Sequence, residues 1–224
     1  MALPRAGAVL GIDVGYSPVN RSSAVCRLDW GAQHIHWIIQ RFRALPAEQE
    51  QAIAAVAGNV PLQAAAFDGP LRAGLAVIDR YRVAERMLTR RLQPRIGKPG
   101  QASAPVGRSL NQAANDCARI VLARGTTAPA SHLTADGTLQ ALLAHLLPGR
   151  PAAAFDQVTD HDDRAALVCA PTALCVATGD FTAVGDADGW IILPPPSFVR
   201  PWAWPALQAN AAEEAPGCLY RTSD

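Results

Sequence analysis

Apolar residues in the first 42 positions form three runs that are separated by short polar links. The run 8–14 is almost continuously apolar, whereas 23–30 and 33–42 place apolar residues at alternate positions, the spacing typical of β-strands. Because the links between the runs are short, the pattern predicts three consecutive strands in an antiparallel meander.

The next stretch predicts a helix followed by a fourth strand. Pro46 is well suited to begin a helix, and Gly58 is well suited to end it. The apolar run 62–67 then has the length and composition of a buried strand. Since a helical crossover separates it from the meander, we expect this strand to lie beside the first strand and parallel to it.

The second half of the chain predicts mainly helices. Helical spacing of apolar residues extends over about 77–92, from Ser109 to Val121, over about 138–147 and over 162–178. We expect a fifth strand at 152–158 and, within 184–193, a turn at 186–189 that is followed by a final short strand at 190–193. Together the elements predict an α/β protein with a mixed five-stranded sheet flanked by helices.

The length of 224 residues suits a single domain. Within it, residues about 72–150 are predicted to form a helical insertion in the sheet. Residues 195–224, which begin within a run of three prolines at 194–196, are predicted to be an extended C-terminal tail that packs on the body.

Composition narrows the classes of protein that need to be considered. Half of the residues are hydrophobic, and the net charge is only +1, so no global field attracts nucleic acid or an anionic membrane. The five cysteines include no Cys-x-x-Cys pair, which argues against a zinc ribbon. No apolar run approaches the ~20 residues of a membrane span. We therefore expect a cytoplasmic protein with no membrane partner.

Acidic residues occur at three positions where the pattern predicts the ends of buried elements. Asp13 lies within the first apolar run between two glycines, Asp68 follows the fourth strand, and Asp160 to Asp163 precede the last long helix. A carboxylate in a buried strand is unfavourable unless its charge is compensated. A divalent cation with oxygen ligands is one such compensation.

Four segments carry a resemblance to a known family: GIDVG at 11–15, FDGPL at 67–71, DHDDRAALVCAPTAL at 160–174 and VGDADGWIILP at 184–194. They resemble an uncharacterised family of predicted nucleases with the ribonuclease H-like fold, which resolvases share. The resemblance implies a ribonuclease H-like mixed sheet of five strands. It also implies a metal-dependent nuclease or phosphodiesterase that acts on nucleic acid.

In nucleases of this fold, acidic residues hold two divalent cations, here Mg²⁺ or Mn²⁺. The resemblance implies Asp13, Asp68, Asp162 and Asp163 as catalytic residues, with Asp13, Asp68 and Asp163 as metal ligands. The third ligand stays open at this point. One alignment selects Asp162 and puts Ala165 where a further aspartate is usual, and a shifted alignment selects Asp160 and Asp163.

A basic segment follows the second acidic position and suggests a substrate surface. Arg82, Arg86 and Arg90 are spaced by four and would share one face of a helix, and Lys98 follows in a loop. Arg80, Arg91 and Arg95 extend the same segment. Nucleic-acid phosphates would offset the mutual repulsion of these charges, so we expect this face to bind substrate.

Two other function classes remain open at the level of sequence. A non-catalytic ribonuclease H-like binding or scaffold domain would agree with Ala165 in the acidic pattern and with the small net charge. An actin-like nucleotide-binding protein would share the first strand and its aspartate. It would, however, need a duplicated fold and a second glycine-rich phosphate loop, for which 224 residues leave no room.

Overall fold

The apolar runs at the start of the chain form the meander that their spacing predicts. The computed structural model describes residues 3–71, 82–96, 105–124, 129–130, 139–152, 155 and 157–222. The three strands of the meander are β1 (Gly7–Asp13), β2 (Ser23–Trp30) and β3 (Ile35–Phe42). β2 pairs antiparallel with β1 on one side and with β3 on the other. β3 therefore forms one edge of the sheet.

The predicted crossover is confirmed. Helix α1 (Pro46–Ala57) carries Pro46 in its first turn, and Gly58 follows its last residue with a positive φ. It leads into β4 (Leu62–Asp68), which pairs parallel with β1. The last residues of the two strands, Asp13 and Asp68, are direct register partners.

The fifth strand lies in a different place from the predicted one. Among the described residues of 152–158, Ala152 forms only an isolated parallel bridge with Ile35, at the start of the edge strand β3. The sheet is instead extended at β4 by β5 (Pro129–Ala130), a two-residue parallel pairing. The strand order is β3-β2-β1-β4-β5, so the α/β class and the mixed sheet are confirmed.

The two faces of this sheet are covered by different helices. Helix α5 (His161–Thr178) packs on the face that contains Val9 and Ala66, together with α4 (Leu139–Leu146). Helices α1 and α3 (Pro105–Leu122) cover the opposite face, which contains Leu10 and Phe67. Helix α3 begins at Pro105, earlier than the predicted start at Ser109, because a proline without an N–H fits the first helical turn.

Gly11 allows α5 to lie unusually close to β1. A Cβ atom at Gly11 would lie 2.2 Å from both the carbonyl oxygen of Ala166 and the backbone nitrogen of Ala170. Any larger residue would push the helix away from the sheet. Because Asp13 is two positions further along the strand, it projects from the same face, towards the N-terminal end of α5.

A second, three-stranded sheet lies towards the end of the chain. The predicted turn and final short strand are confirmed, and they belong to a hairpin in which β7 (Gly189–Leu193) pairs antiparallel with β6 (Thr182–Asp186), a strand that the sequence analysis does not name. The 3₁₀ turn Pro196–Phe198, α6 (Ala203–Glu213) and β8 (Leu219–Arg221) follow, and β8 pairs with β6. The prediction of an extended C-terminal tail is therefore wrong.

Helix α6 forms because its apolar side chains find a partner that is distant in sequence. Leu207 and Ala203 are buried in a cluster with Met87 of α2 (Val83–Thr89) and Ile191 of β7. Residues 72–81, which include most of the first turn predicted for the arginine-rich helix, lie outside the described residues. No helix in the described ranges is both long enough and apolar enough to cross a membrane.

Candidate functional site

Four residues line up across the large sheet on the face that α5 covers. The register pairs Arg41 of β3 with Ala24 of β2, Ala24 with Asp13 of β1, and Asp13 with Asp68 of β4. Direct register partners on adjacent strands project to the same side of a sheet. The row therefore brings one arginine and the two predicted aspartates to one place, with the small Ala24 between them.

The N-terminus of α5 supplies three more carboxylates to this row. Asp160 caps the helix, since its side chain accepts a hydrogen bond of 3.0 Å from the backbone nitrogen of Asp162. Asp162 and Asp163 follow in the first turn, where the helix dipole favours negative charge. The local sequence thus explains both why the helix begins here and why its acidic end faces the site.

Arg41 connects the edge of the sheet with all three of these aspartates. Its Nη1 atom lies 3.1 Å from Oδ2 of Asp160, and its Nη2 atom hydrogen-bonds to Asp162. Its Nε atom lies 3.6 Å from Oδ1 of Asp163. One guanidinium therefore partly neutralises a cluster of like charges that would otherwise repel one another.

Asp13 has the most perturbed carboxyl group of the site. The pKa of Asp13 is raised to about 8, first by burial and then by the charges of Asp68 and Asp162, while the charge of Arg41 lowers it by a smaller amount. The side chain therefore holds a proton at neutral pH unless a cation replaces it. A carboxyl group in this state is unusual for a purely structural strand residue and is typical of functional sites.

The three carboxylates at the start of α5 differ in how strongly they act on the pKa of Asp13. Asp162, and less strongly Asp160, are the α5 residues whose charges act on its pKa. Burial also raises the pKa of Asp163, against the opposing charge of Arg41, and its Oδ1 atom is buried without a hydrogen-bond partner. Its charge acts on the thiol of Cys26 on β2. The electrostatic coupling thus links Asp162, and not Asp163, to Asp13.

Carboxylates of these kinds fit Mg²⁺ or Mn²⁺ as donors, because both ions prefer hard oxygen ligands. Asp13 is a desolvated carboxyl group that a cation would stabilise in its charged form. Within the described ranges, however, no three side chains of histidine, cysteine, aspartate or glutamate are arranged so that they could hold one ion. Arg41 engages the α5 carboxylates instead.

The arginine-rich segment does not form the expected unpaired basic face. Arg82 is 7% exposed and forms a buried ion pair with Glu85, whose carboxylate also accepts a hydrogen bond from the Arg82 backbone nitrogen. Arg86 lies 2.6 Å from Glu214, and Arg90 lies 2.8 Å from Glu213.

Both of these glutamates come from the C-terminal end of α6, the helix that the sequence pattern does not predict. The expectation of a free basic face is therefore wrong for Arg82, Arg86 and Arg90, because Arg82 is buried against Glu85 of α2 and the other two arginines pair with the end of α6. Lys98 lies outside the described residues, so its predicted contact with substrate stays a prediction.

Arg41 is the site residue that the sequence analysis misses. A signal for it exists, because Arg41 continues the alternation of Trp37 and Ile39, whose side chains pack against the core on the α5 face. A charged residue at the next inward position of a strand requires a partner of opposite charge. The acidic start of α5 is that partner.

The chain was compared with models of protein families, with curated proteins and with solved structures. None of the three comparisons finds a match. What the site can do therefore has to be inferred from its own residues.

Proposed function

We propose that this protein is a metal-dependent phosphodiesterase that cleaves nucleic acid, built on a ribonuclease H-like fold. The observation that carries the proposal is the pair of Asp13 and Asp68, with the pKa of Asp13 raised to about 8 by burial and by its acidic neighbours. Such a pair is unfavourable by itself, and a divalent cation between the carboxylates removes the repulsion.

The topology supports the fold part of the proposal. A three-stranded meander, a helical crossover and a fourth strand parallel to the first are the arrangement that the sequence resemblance implies. The N-terminus of a long helix supplies the further carboxylates, again as expected from the resemblance.

Asp13, Asp68 and Asp162 are the residues that would hold the cation, but they would have to converge for this, because Asp162 is paired with Arg41 and the three are not arranged around one ion in this structure. A bound Mg²⁺ or Mn²⁺ would supply an activated water and positive charge next to the scissile phosphate. Asp13 must lose its proton for this, so a raised pKa makes cation binding depend on pH. Arg41 contributes a fixed positive charge at the same site, which attracts the substrate phosphate and limits the repulsion among the α5 aspartates.

One observation favours a second candidate, a non-catalytic ribonuclease H-like binding domain. Arg41 already pairs with Asp160, Asp162 and Asp163, so part of the acidic charge is compensated without a metal. In a binding domain, Arg41 would be a permanent structural counter-charge, and the site would not need a cation.

A cleavage assay separates the two candidates. Labelled single-stranded DNA, duplex DNA, RNA and a four-way junction would be incubated with the protein and Mg²⁺ or Mn²⁺, and with EDTA. We expect cation-dependent cleavage of at least one substrate, with a loss of roughly 100-fold or more in Asp68→Asn. Asp116→Asn is a matched control, because it removes a carboxylate from α3 that pairs with Arg119.

Cleavage that persists in Asp68→Asn would refute the assignment of the site. If the wild-type protein cleaves none of the substrates with either cation, the binding-domain candidate replaces the nuclease.

A further inference from the structure

A cleft of about 930 Å³ runs along the free edge of β3, between this strand and the start of α1. Three arginines line it: Arg21 from the loop before β2, Arg41 from β3 and Arg43 just after β3. Edge strands of this kind are accessible because no further strand covers them. In the described part of the chain, only the bridge at Ile35 pairs with this edge.

Two of the arginines converge on one carboxylate. Nε of Arg43 lies 2.7 Å from Oε2 of Glu48, and Nε of Arg21 lies 3.6 Å from its Oε1. The backbone nitrogen of Arg43 also donates to Oε1 at 3.2 Å. Three donors from two residues thus point at a single anionic group, and the hydrogen bond from the Arg43 side chain is the main cause of a lowered pKa of Glu48.

These guanidinium groups remain accessible from solvent. The side chains of Arg21 and Arg43 are 67% and 41% exposed. Because exposed ion pairs contribute little to stability, an external anion has only a small internal interaction to replace. Glu48 therefore marks a position where the two arginines bind an anion, which here is a carboxylate of the chain itself.

Arg41 links this position to the acidic site. It lines the cleft and contacts the α5 aspartates at the same time. Arg41 and Arg43 are two residues apart on an extended chain, a separation of roughly 6–7 Å. Successive phosphates of one nucleic-acid strand are a similar distance apart, so consecutive phosphates match consecutive arginines.

We propose that this cleft binds the phosphate groups of one nucleic-acid strand and leads that strand towards Asp13 and Asp68. A phosphate replaces the Glu48 carboxylate at Arg21 and Arg43, and the neighbouring phosphate meets Arg41. This proposal rests on the proposed function, because the path that it describes is the path of the nuclease substrate to the site. It assigns substrate binding to the β3 edge in place of the arginines of α2.

Binding is tested without catalysis, by fluorescence anisotropy of a labelled single-stranded oligonucleotide in EDTA. Arg43→Gln and Arg21→Gln should each weaken binding by about 3- to 10-fold, the loss of one charge-assisted contact. Each should also reduce the slope of log affinity against log salt by about 0.7, the value for one single-strand phosphate.

Glu48→Gln is expected to change the affinity for the oligonucleotide in the opposite direction. It removes the internal anion but keeps an oxygen that accepts from the Arg43 backbone, so it should strengthen binding by about 3-fold or more. Arg119→Gln is the matched control, since Arg119 is 72% exposed on α3 and lies outside the cleft. Its affinity should equal that of the wild-type protein. Thermal melting of each variant checks that it is folded.

Three results would overturn the proposal. The first is that the wild-type protein does not bind the oligonucleotide, and the second is that Arg21→Gln and Arg43→Gln bind it as tightly as the wild-type protein. The third is that Glu48→Gln binds it more weakly than the wild-type protein. Competition with a mononucleotide and with inorganic phosphate distinguishes the source of the phosphate. If either competes as well as the unlabelled oligonucleotide, the cleft takes a small phosphate compound and the strand proposal is wrong.

The outcome is separable from that of the cleavage assay. Arginine-dependent binding without cleavage would refute the nuclease and leave the cleft as a nucleic-acid site. If Arg43→Gln cleaves the substrate with an unchanged KM, substrate binding in the cleft is refuted and the proposed nuclease activity is retained.

Discussion

Replacing Asp13 with asparagine is expected to stabilise the protein at neutral pH, although it removes a residue of the proposed site. Asparagine has nearly the same size and cannot ionise, so it removes the cost of keeping Asp13 protonated in the folded protein at a pH where the unfolded chain would ionise it. The effect depends on pH because the pKa of Asp13 is about 8 in the folded protein, against an ordinary value of 3.8.

The sign follows from proton binding. Between these two pKa values the folded state binds the Asp13 proton and the unfolded state does not, so the free energy of unfolding of the wild-type protein falls as pH rises. Below about pH 4 both states are protonated, and the carboxyl group carries no penalty. The difference between Asp13→Asn and wild type should therefore be small at pH 4, grow up to about pH 8 and then remain constant.

The magnitude follows from the size of the shift. At pH 7, about three pH units above the ordinary value, the shift corresponds to an upper limit of roughly 4 kcal/mol. Water entry and movement of Arg41 in the ionised protein reduce this limit, so we expect a gain of about 1–3 kcal/mol.

Urea unfolding of both proteins at several pH values, in EDTA, measures this difference directly. Asp116→Asn controls for the general effect of removing one negative charge. A second series with Mn²⁺ should stabilise the wild-type protein, by about 2.7 kcal/mol at 100 times the dissociation constant, and should leave Asp13→Asn unchanged.

A difference that does not change between pH 4 and pH 8 would refute the raised pKa of Asp13. Equal stabilisation of both proteins by Mn²⁺ would leave the raised pKa intact and remove Asp13 from the cation site. A less stable Asp13→Asn protein at pH 8 would contradict the electrostatic reasoning altogether.

Three further perturbations test other parts of the structure. Gly11→Ala should lower the free energy of unfolding by about 3 kcal/mol, because its Cβ atom would overlap the backbone of α5, whereas Gly31→Ala should change it by less than about 1 kcal/mol in the same denaturation assay. Glu214→Gln should lower it by about 1 kcal/mol, since Arg86 loses its charged partner, and high salt should reduce this difference. Arg41→Gln should bind Mn²⁺ more tightly in calorimetry, because an internal cation no longer competes for the α5 carboxylates; weaker binding would show that Arg41 does not compete with the ion.

The elements that the sequence predicts correctly depend on local patterns. The meander, α1 and β7 with the turn before it follow from the alternation or helical spacing of apolar residues and from turn residues at their ends. The pairing of Asp13 with Asp68 also follows from sequence, because a helical crossover leaves little choice other than two parallel, adjacent strands.

The errors concern residues whose partners are far away in the chain. Arg86 and Arg90 look like part of an unpaired basic face because their partners, Glu214 and Glu213, follow more than 120 residues later. The same contacts explain α6, whose apolar positions are too few to predict a helix without the α2 surface that they cover. A periodic pattern reveals that a face is buried, but it does not reveal what buries it.

The sequence by itself determined the order of the elements from β1 to β4, the two strands with terminal aspartates and the acidic start of α5. It did so because propensity, capping and apolar spacing act between residues that are close in the chain. Only the tertiary structure decided that Arg41 meets the α5 aspartates, that Asp162 acts on Asp13, and that the free edge of β3 carries the accessible arginines. Those outcomes depend on the register between strands and on how closely α5 approaches Gly11, and both are set by packing between distant segments.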